Sequence, residues 1–178
     1  SKRDFARISK PLSKFGANFK LKNKKNLPLI INGSSNLKPI KYFENKGSAQ
    51  CKSAVIFGAL RTKGITTIKA KKSRNHTELL CKYLNLPISI KSNRSFDLIK
   101  INKIENINNF HYKIPSDISS SAFFIALTAL NKDSELIIKN VNINDTRIGI
   151  IYILKKMGVH INFQNYKTYK GEKIADIK

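Results

Sequence analysis

Apolar positions fall in short bursts whose period keeps changing along the chain. Residues 4–16, DFARISKPLSKFG, place Phe5, Ile8, Leu12 and Phe15 three or four apart, predicting a short helix that stops at Gly16. Pro11 argues against a straight run through its middle. ANFKLKN and LPLIING then read as strands with turn chemistry between them. From Lys38 the period switches in order: KPIKYFE predicts a strand, 48–61 a helix and ITTIKAK a strand. NHTELLCKYLN predicts a helix with Leu79, Leu80, Tyr83 and Leu84 as its apolar stripe, and PISIKS and FDLIKINKI predict two more strands.

The same order then recurs. FHYKIP predicts a strand, DISSSAFFIALTAL a buried helix behind a Ser/Asp cap, SELIIKNV a strand and NDTRIGIIYILKKMG a helix ending at Gly158. VHINFQN and the stretch near KIADIK predict the closing strands. The copies lie about seventy residues apart, an internal β-α-β-α-β-β repeat. SAQCKSAVIFGAL aligns with DISSSAFFIALTAL, and ELLCKYLNLPISI with IYILKKMGVHINF. Helices 54–60 and 122–130 are apolar nearly all round, so both are expected between layers. The first copy ends near Ile114-Pro115, where a Pro followed by Ser116-Asp117 lets the chain change direction. The fold class is α/β (α+β), built from repeated βαβαββ units.

With 178 residues and 41% hydrophobic content, the chain can bury one ordinary core or two small ones. The formal charge of +23 suggests a polyanion partner until its composition is examined. Lysine supplies 28 of the 34 basic residues and arginine six, beside 26 isoleucines and 19 asparagines. Lys, Ile and Asn share A/T-rich codons, so a biased genome accounts for the lysines. They are also scattered, and arginine, which grips phosphate with two hydrogen bonds, is sparse. What survives is a surface that attracts small anions. Cys51 and Cys81 lack CxxC spacing and read as reduced core residues. His76, His111 and His160 stand too far apart to form a ligand cluster. No apolar run approaches the roughly 18 residues of a membrane-spanning helix, and SKRDFARISK has no secretory apolar stretch. A cytoplasmic protein is expected. The chain opens on Ser1 rather than Met, as an internal fragment would.

The segments PLSKFGA, SAQCKSAVIFGAL, GITTI, SRNHTE, IPSDISSSAFF, NVNINDTRIG and LKKMGVHI, after Lys2-Arg3, resemble in order those of the EPSP synthase (3-phosphoshikimate 1-carboxyvinyltransferase) family of enolpyruvyl transferases. The likeness covers essentially the whole chain. It implies two lobes of inverted βαβαββ units, with 1–114 in one lobe and 115–178 crossing the hinge to begin the other. It also implies transfer of the enolpyruvyl group of phosphoenolpyruvate to the 5-hydroxyl of shikimate 3-phosphate, with no cofactor and no metal. The implied partners are those two small substrates, with no nucleic acid and no membrane, and a monomer at full length.

On this resemblance Ser48, Ala49, Gln50 and Arg74 contact shikimate 3-phosphate, while Arg3 and Gln50 contact phosphoenolpyruvate. A hydroxyl, a backbone N–H and an amide at a helix start suit a phosphate or ring hydroxyl, as an arginine fork does. By itself Ser48 would read as a plain cap. Arg3 departs from the family's usual Arg-Pro-Met, since Asp4 and Phe5 follow it. Ser73 stands beside Arg74. Asp117, Ser119 and Ser120 read as caps, Arg147 as support for the second lobe and His76 as structural, and Lys52 is not carried over. The family's Lys-Ser phosphate segment, its proton-transfer Asp and Glu/Lys and two further arginines have no counterpart among the 178 residues. No catalytic residue is therefore assigned, and the chain reads as the middle of an enzyme, inactive alone. UDP-N-acetylglucosamine enolpyruvyl transferase is the rival within the fold, but neither cysteine sits on a loop as that family's does. A basic nucleic-acid-binding module is the rival outside it, without an RNP-like aromatic pair or a GXXG loop.

Overall fold

The computed structural model describes residues 4–178. Two compact units divide it, one ending at Ile107 and the other running from Asn108 to Lys178. In the first, helix α1 (Ala6–Ser13) leads into an antiparallel hairpin of β1 (Asn18–Lys22) and β2 (Asn26–Asn32). The repeat follows as β3 (Lys41–Glu44), α2 (Ala49–Leu60), β4 (Thr66–Lys71), α3 (His76–Tyr83), β5 (Ile88–Ser92) and β6 (Phe96–Ile101). Its strands make one sheet in the order β3-β4-β6-β5, with β3 parallel to β4 and the other pairings antiparallel. Alternation sets the faces: Ile68, Ala70, Ile99 and Ile101 turn into the core, while Lys69, Leu98 and Lys100 turn out.

Helix α2 lies between two layers, as its all-round apolarity predicts. Val55, Ile56, Ala59 and Leu60 are buried, each large aliphatic side chain contributing roughly 1.5–3 kcal/mol. Against its other side lies α1. A Cβ on Gly58 would stand 3.0 Å from Phe15 Cε2 and 3.2 Å from Leu12 Cδ2, so any side chain there would have to push those two side chains back. Pro11 sits inside α1 rather than breaking it. Having no N–H, it leaves the Arg7 carbonyl without its usual helical donor. The Cys51 thiol of α2 donates there instead, at 3.6 Å.

The second unit holds α4 (Ile118–Leu130), β7 (Ile138–Asn142), α5 (Gly149–Lys156), β8 (Phe163–Tyr169) and β9 (Glu172–Ile177), with sheet order β7-β9-β8, all antiparallel. The strand expected at FHYKIP is absent. It is reduced to one parallel bridge between Ser116 and Val141, placed as β3 is beside β4. Pro115 offers no N–H to a ladder, and the Lys113 N–H goes to the Tyr169 hydroxyl at 3.0 Å. The helix expected over 144–158 begins only at Gly149, because Asn144 Oδ1 accepts from the Thr146 N–H and hydroxyl at 2.9 and 2.6 Å and holds a turn. The strand expected at VHINFQN starts late, since the Val159 N–H closes α5 on the Leu154 carbonyl at 3.0 Å.

Helix α4 corrects a further expectation. Ile118, Ser121 and Ile125 are buried, but Phe123 is 78% exposed and Leu130 85%. Among the described residues of this unit nothing corresponds to α1, so this copy's helix is covered on one face only.

Candidate functional site

Parallel pairing of β3 and β4 places the start of α2 and the start of α3 at the same sheet edge, the carboxyl end of both strands. Gly47, with φ +68°, makes the turn between β3 and α2. Ser48 caps α2, its Oγ accepting the Cys51 N–H at 3.3 Å, while its carbonyl takes the Lys52 N–H at 3.1 Å. Ala49 and Gln50 are the helix's first two residues, whose N–H groups an α-helix leaves without internal acceptors. The positive ends of two helix dipoles thus share one edge.

Two side-chain links lock those ends together. Lys52 Nζ lies 2.5 Å from Glu78 Oε1, both side chains almost fully buried. One residue after Lys52 and one before Glu78, the Ser53 and Thr77 hydroxyls share a hydrogen bond of 2.7 Å. Among the described residues Nζ has no hydrogen-bond partner beyond this ion pair, and Glu78 Oε2 and the buried Glu44 Oε2 have none. Asp97 closes the same edge, accepting from Lys72 at 2.5 Å and Ser92 at 2.6 Å. Burial works to raise its pKa, but those two hydrogen bonds and the Lys72 and Lys52 charges hold it below the usual carboxylate range. Cys81 on α3 is pushed up to about 11 by burial and by Glu78, so it stays a protonated core thiol.

Above these links opens a cleft of about 570 Å³, lined by α1, the start of α2, and the segment entering α3. Gln50, Ala49 and Arg74 line it together, with Ser53, Thr77 and Phe57 as its floor and side. Ser48 is not in its lining and shows only its capping role. His76 lines it too. Ser73 Oγ, beside Arg74, is buried with no partner among the described residues. Arg3 lies outside the described residues. One residue the motifs do not flag also lines the cleft: Arg7, whose Nη2 donates to Gln50 Oε1. Asp4 is the carboxylate of the lining, and its Oδ1 accepts the Ala6 N–H at 2.8 Å.

The second copy arranges the matching residues differently. There Asp117 caps α4, accepting from the Ser120 N–H and hydroxyl at 3.1 Å each. Arg147, the repeat partner of Arg74, donates to Asp117 Oδ1 at 3.1 Å and also to Ser119. Burial tends to raise the Asp117 pKa, but the Ser119 and Ser120 N–H groups, with Arg147, hold it low. Asp117, Ser119 and Ser120 thus form the cap expected of them, and Arg147 joins it. Where Asp117 stands at the second copy's helix start, the first has Ser48-Ala49-Gln50.

The architecture is the fold of the enolpyruvyl transferases. The enolpyruvyl transferase NikO from Streptomyces tendae shares the fold with a TM-score of 0.61 at 15% identity, over 95% of this chain and 41% of that one. Within the class, the family model for EPSP synthase (3-phosphoshikimate 1-carboxyvinyltransferase) matches residues 1–177, and the chain belongs to that family. The 3-phosphoshikimate 1-carboxyvinyltransferase of Caldicellulosiruptor saccharolyticus is 43% identical over 178 residues, 99% of this chain and 41% of that protein. EPSP synthase from Acinetobacter baumannii superimposes with a TM-score of 0.82 at 34% identity, over 99% of this chain and 39% of that one. The chain therefore spans about 40% of the length of the relatives it matches. Among the described residues no helix is long and apolar enough to cross a membrane, and no cluster of His, Cys, Asp and Glu has metal-binding geometry.

Proposed function

We propose that this chain carries the shikimate 3-phosphate-binding part of an EPSP synthase, a cytoplasmic enzyme, monomeric at full length, with residues 1–114 in one lobe and 115–178 beginning the other. The reaction protonates the methylene carbon of phosphoenolpyruvate while the sugar 5-hydroxyl attacks C2. The tetrahedral intermediate then expels phosphate. Ser48, Ala49, Gln50 and Arg74 bind the phosphate sugar, Ser48 also capping the helix start that presents them, and Arg3 and Gln50 meet phosphoenolpyruvate. The groups that move protons belong to the other 60% or so of a full-length relative, of which this chain spans 41%.

The carrying observation is the difference between the two copies. In the second, an arginine ahead of the second helix is paired with a carboxylate at the start of the first. In the first, Arg74 lines a cleft where the corresponding helix start has no acid. A ligand phosphate supplies the missing negative charge there.

Calorimetric titration of the 178-residue chain with shikimate 3-phosphate tests this. Saturable binding is expected, weakened at least about tenfold by Arg74→Ala, the scale of one lost charge-assisted hydrogen bond. Equal binding by Arg74→Ala would refute the assignment.

A further inference from the structure

Arg7 is exposed and lies 43 positions before its partner, yet the fold fixes where its side chain starts. Pro11 withholds the N–H that would bond the Arg7 carbonyl, and the buried Cys51 takes that carbonyl at 3.6 Å. The Arg7 backbone is thereby tied to the residue next to Gln50. From there the guanidinium reaches the Gln50 carboxamide. A guanidinium only donates, so the atom of Gln50 that faces it is Oε1. The amide nitrogen, with its two N–H groups, is left for an acceptor, and the cleft that both residues line is where one can sit. Without Arg7 no guanidinium would hold the carboxamide oxygen away from an anion.

We propose that Arg7 is a positioning residue of this cleft, holding the Gln50 carboxamide so that Nε2 donates to an anionic oxygen of the bound ligand. The ligand's identity rests on the substrate reading above; the orientation of Gln50 does not.

Two measurements on the whole 178-residue chain decide it. The first, without ligand, follows the Gln50 side-chain amide in a nitrogen–proton spectrum, assigned by its loss in Gln50→Ala. Arg7→Ala should shift that resonance, and Arg7→Lys should shift it less, while the backbone spectrum stays dispersed. The second titrates shikimate 3-phosphate in a double-mutant cycle. Arg7→Ala should weaken binding about tenfold when Gln50 is present and less than about twofold in the Gln50→Ala background. Arg7→Lys keeps the charge and one donor and should recover part of the loss. Equal losses in both backgrounds would show Arg7 acting as an independent charge and overturn the proposal. Should the wild-type chain not bind the phosphate sugar, the substrate reading falls and the amide resonance alone decides. A moved resonance then upholds the positioning role, and an unmoved one ends it.

Discussion

Gly58 is where α1 and α2 touch, and its missing side chain sets their distance. A methyl group would already stand 3.0 Å from the Phe15 ring and 3.2 Å from Leu12 Cδ2. Gly58→Leu should therefore destabilise the chain by roughly 1–3 kcal/mol through overpacking, measured by urea unfolding. It should also disturb Arg7, which α1 carries to the cleft. Single residues show best how far the sequence reaches. Gln50 and Arg74 are legible because each sits in a distinctive segment, SAQCKS and SRNHTE. Arg7 is not, because an arginine on the polar side of a short helix looks like any solvated charge. Its place four residues after Arg3 was the one available hint. Ser48 shows the opposite limit: its capping bond follows from local geometry alone.

Between elements, α2 and α3 are held by Lys52 and Glu78, an ion pair almost wholly out of water. Removing one partner strands a buried charge. Lys52→Met should cost about 3–5 kcal/mol, and the double variant Lys52→Met/Glu78→Leu should recover most of it. Denaturant unfolding of the two variants checks this; equal stability would mean that the pair is not a coupled unit. Asp97 ties the ends of β4, β5 and β6 through Lys72 and Ser92. Its folded pKa is depressed, so its contribution is fully present above the unfolded value near pH 4 and fades as pH falls through the lower folded value. Melting temperature should fall below about pH 4 more steeply in the wild type than in Asp97→Asn. The sequence pattern locates nearly every element in the first unit, where period and burial agree. It misplaces the start of the second, where FHYKIP alternates like a strand but Pro115 and the Lys113–Tyr169 bond take its backbone out of pairing.

For the whole molecule, a chain spanning 41% of a relative should bind without turning over. Incubation with shikimate 3-phosphate and phosphoenolpyruvate should release no phosphate above background; steady release would mean that the proton-transfer groups lie within these residues. The sequence by itself determined the repeat and most of the helix and strand order, because periodicity and local capping are written in neighbouring positions. It could not decide that α2 is enclosed while α4 is open on one side. Both helices read as apolar nearly all round, and the difference lies in whether another element, α1, packs across them. Nor could it bring Arg7 to Gln50. That contact depends on a parallel strand pair setting two helix starts at one edge, on a glycine that admits α1, and on a proline that frees one carbonyl for Cys51. Each is a relation between distant parts of the chain, and only packing in three dimensions creates it.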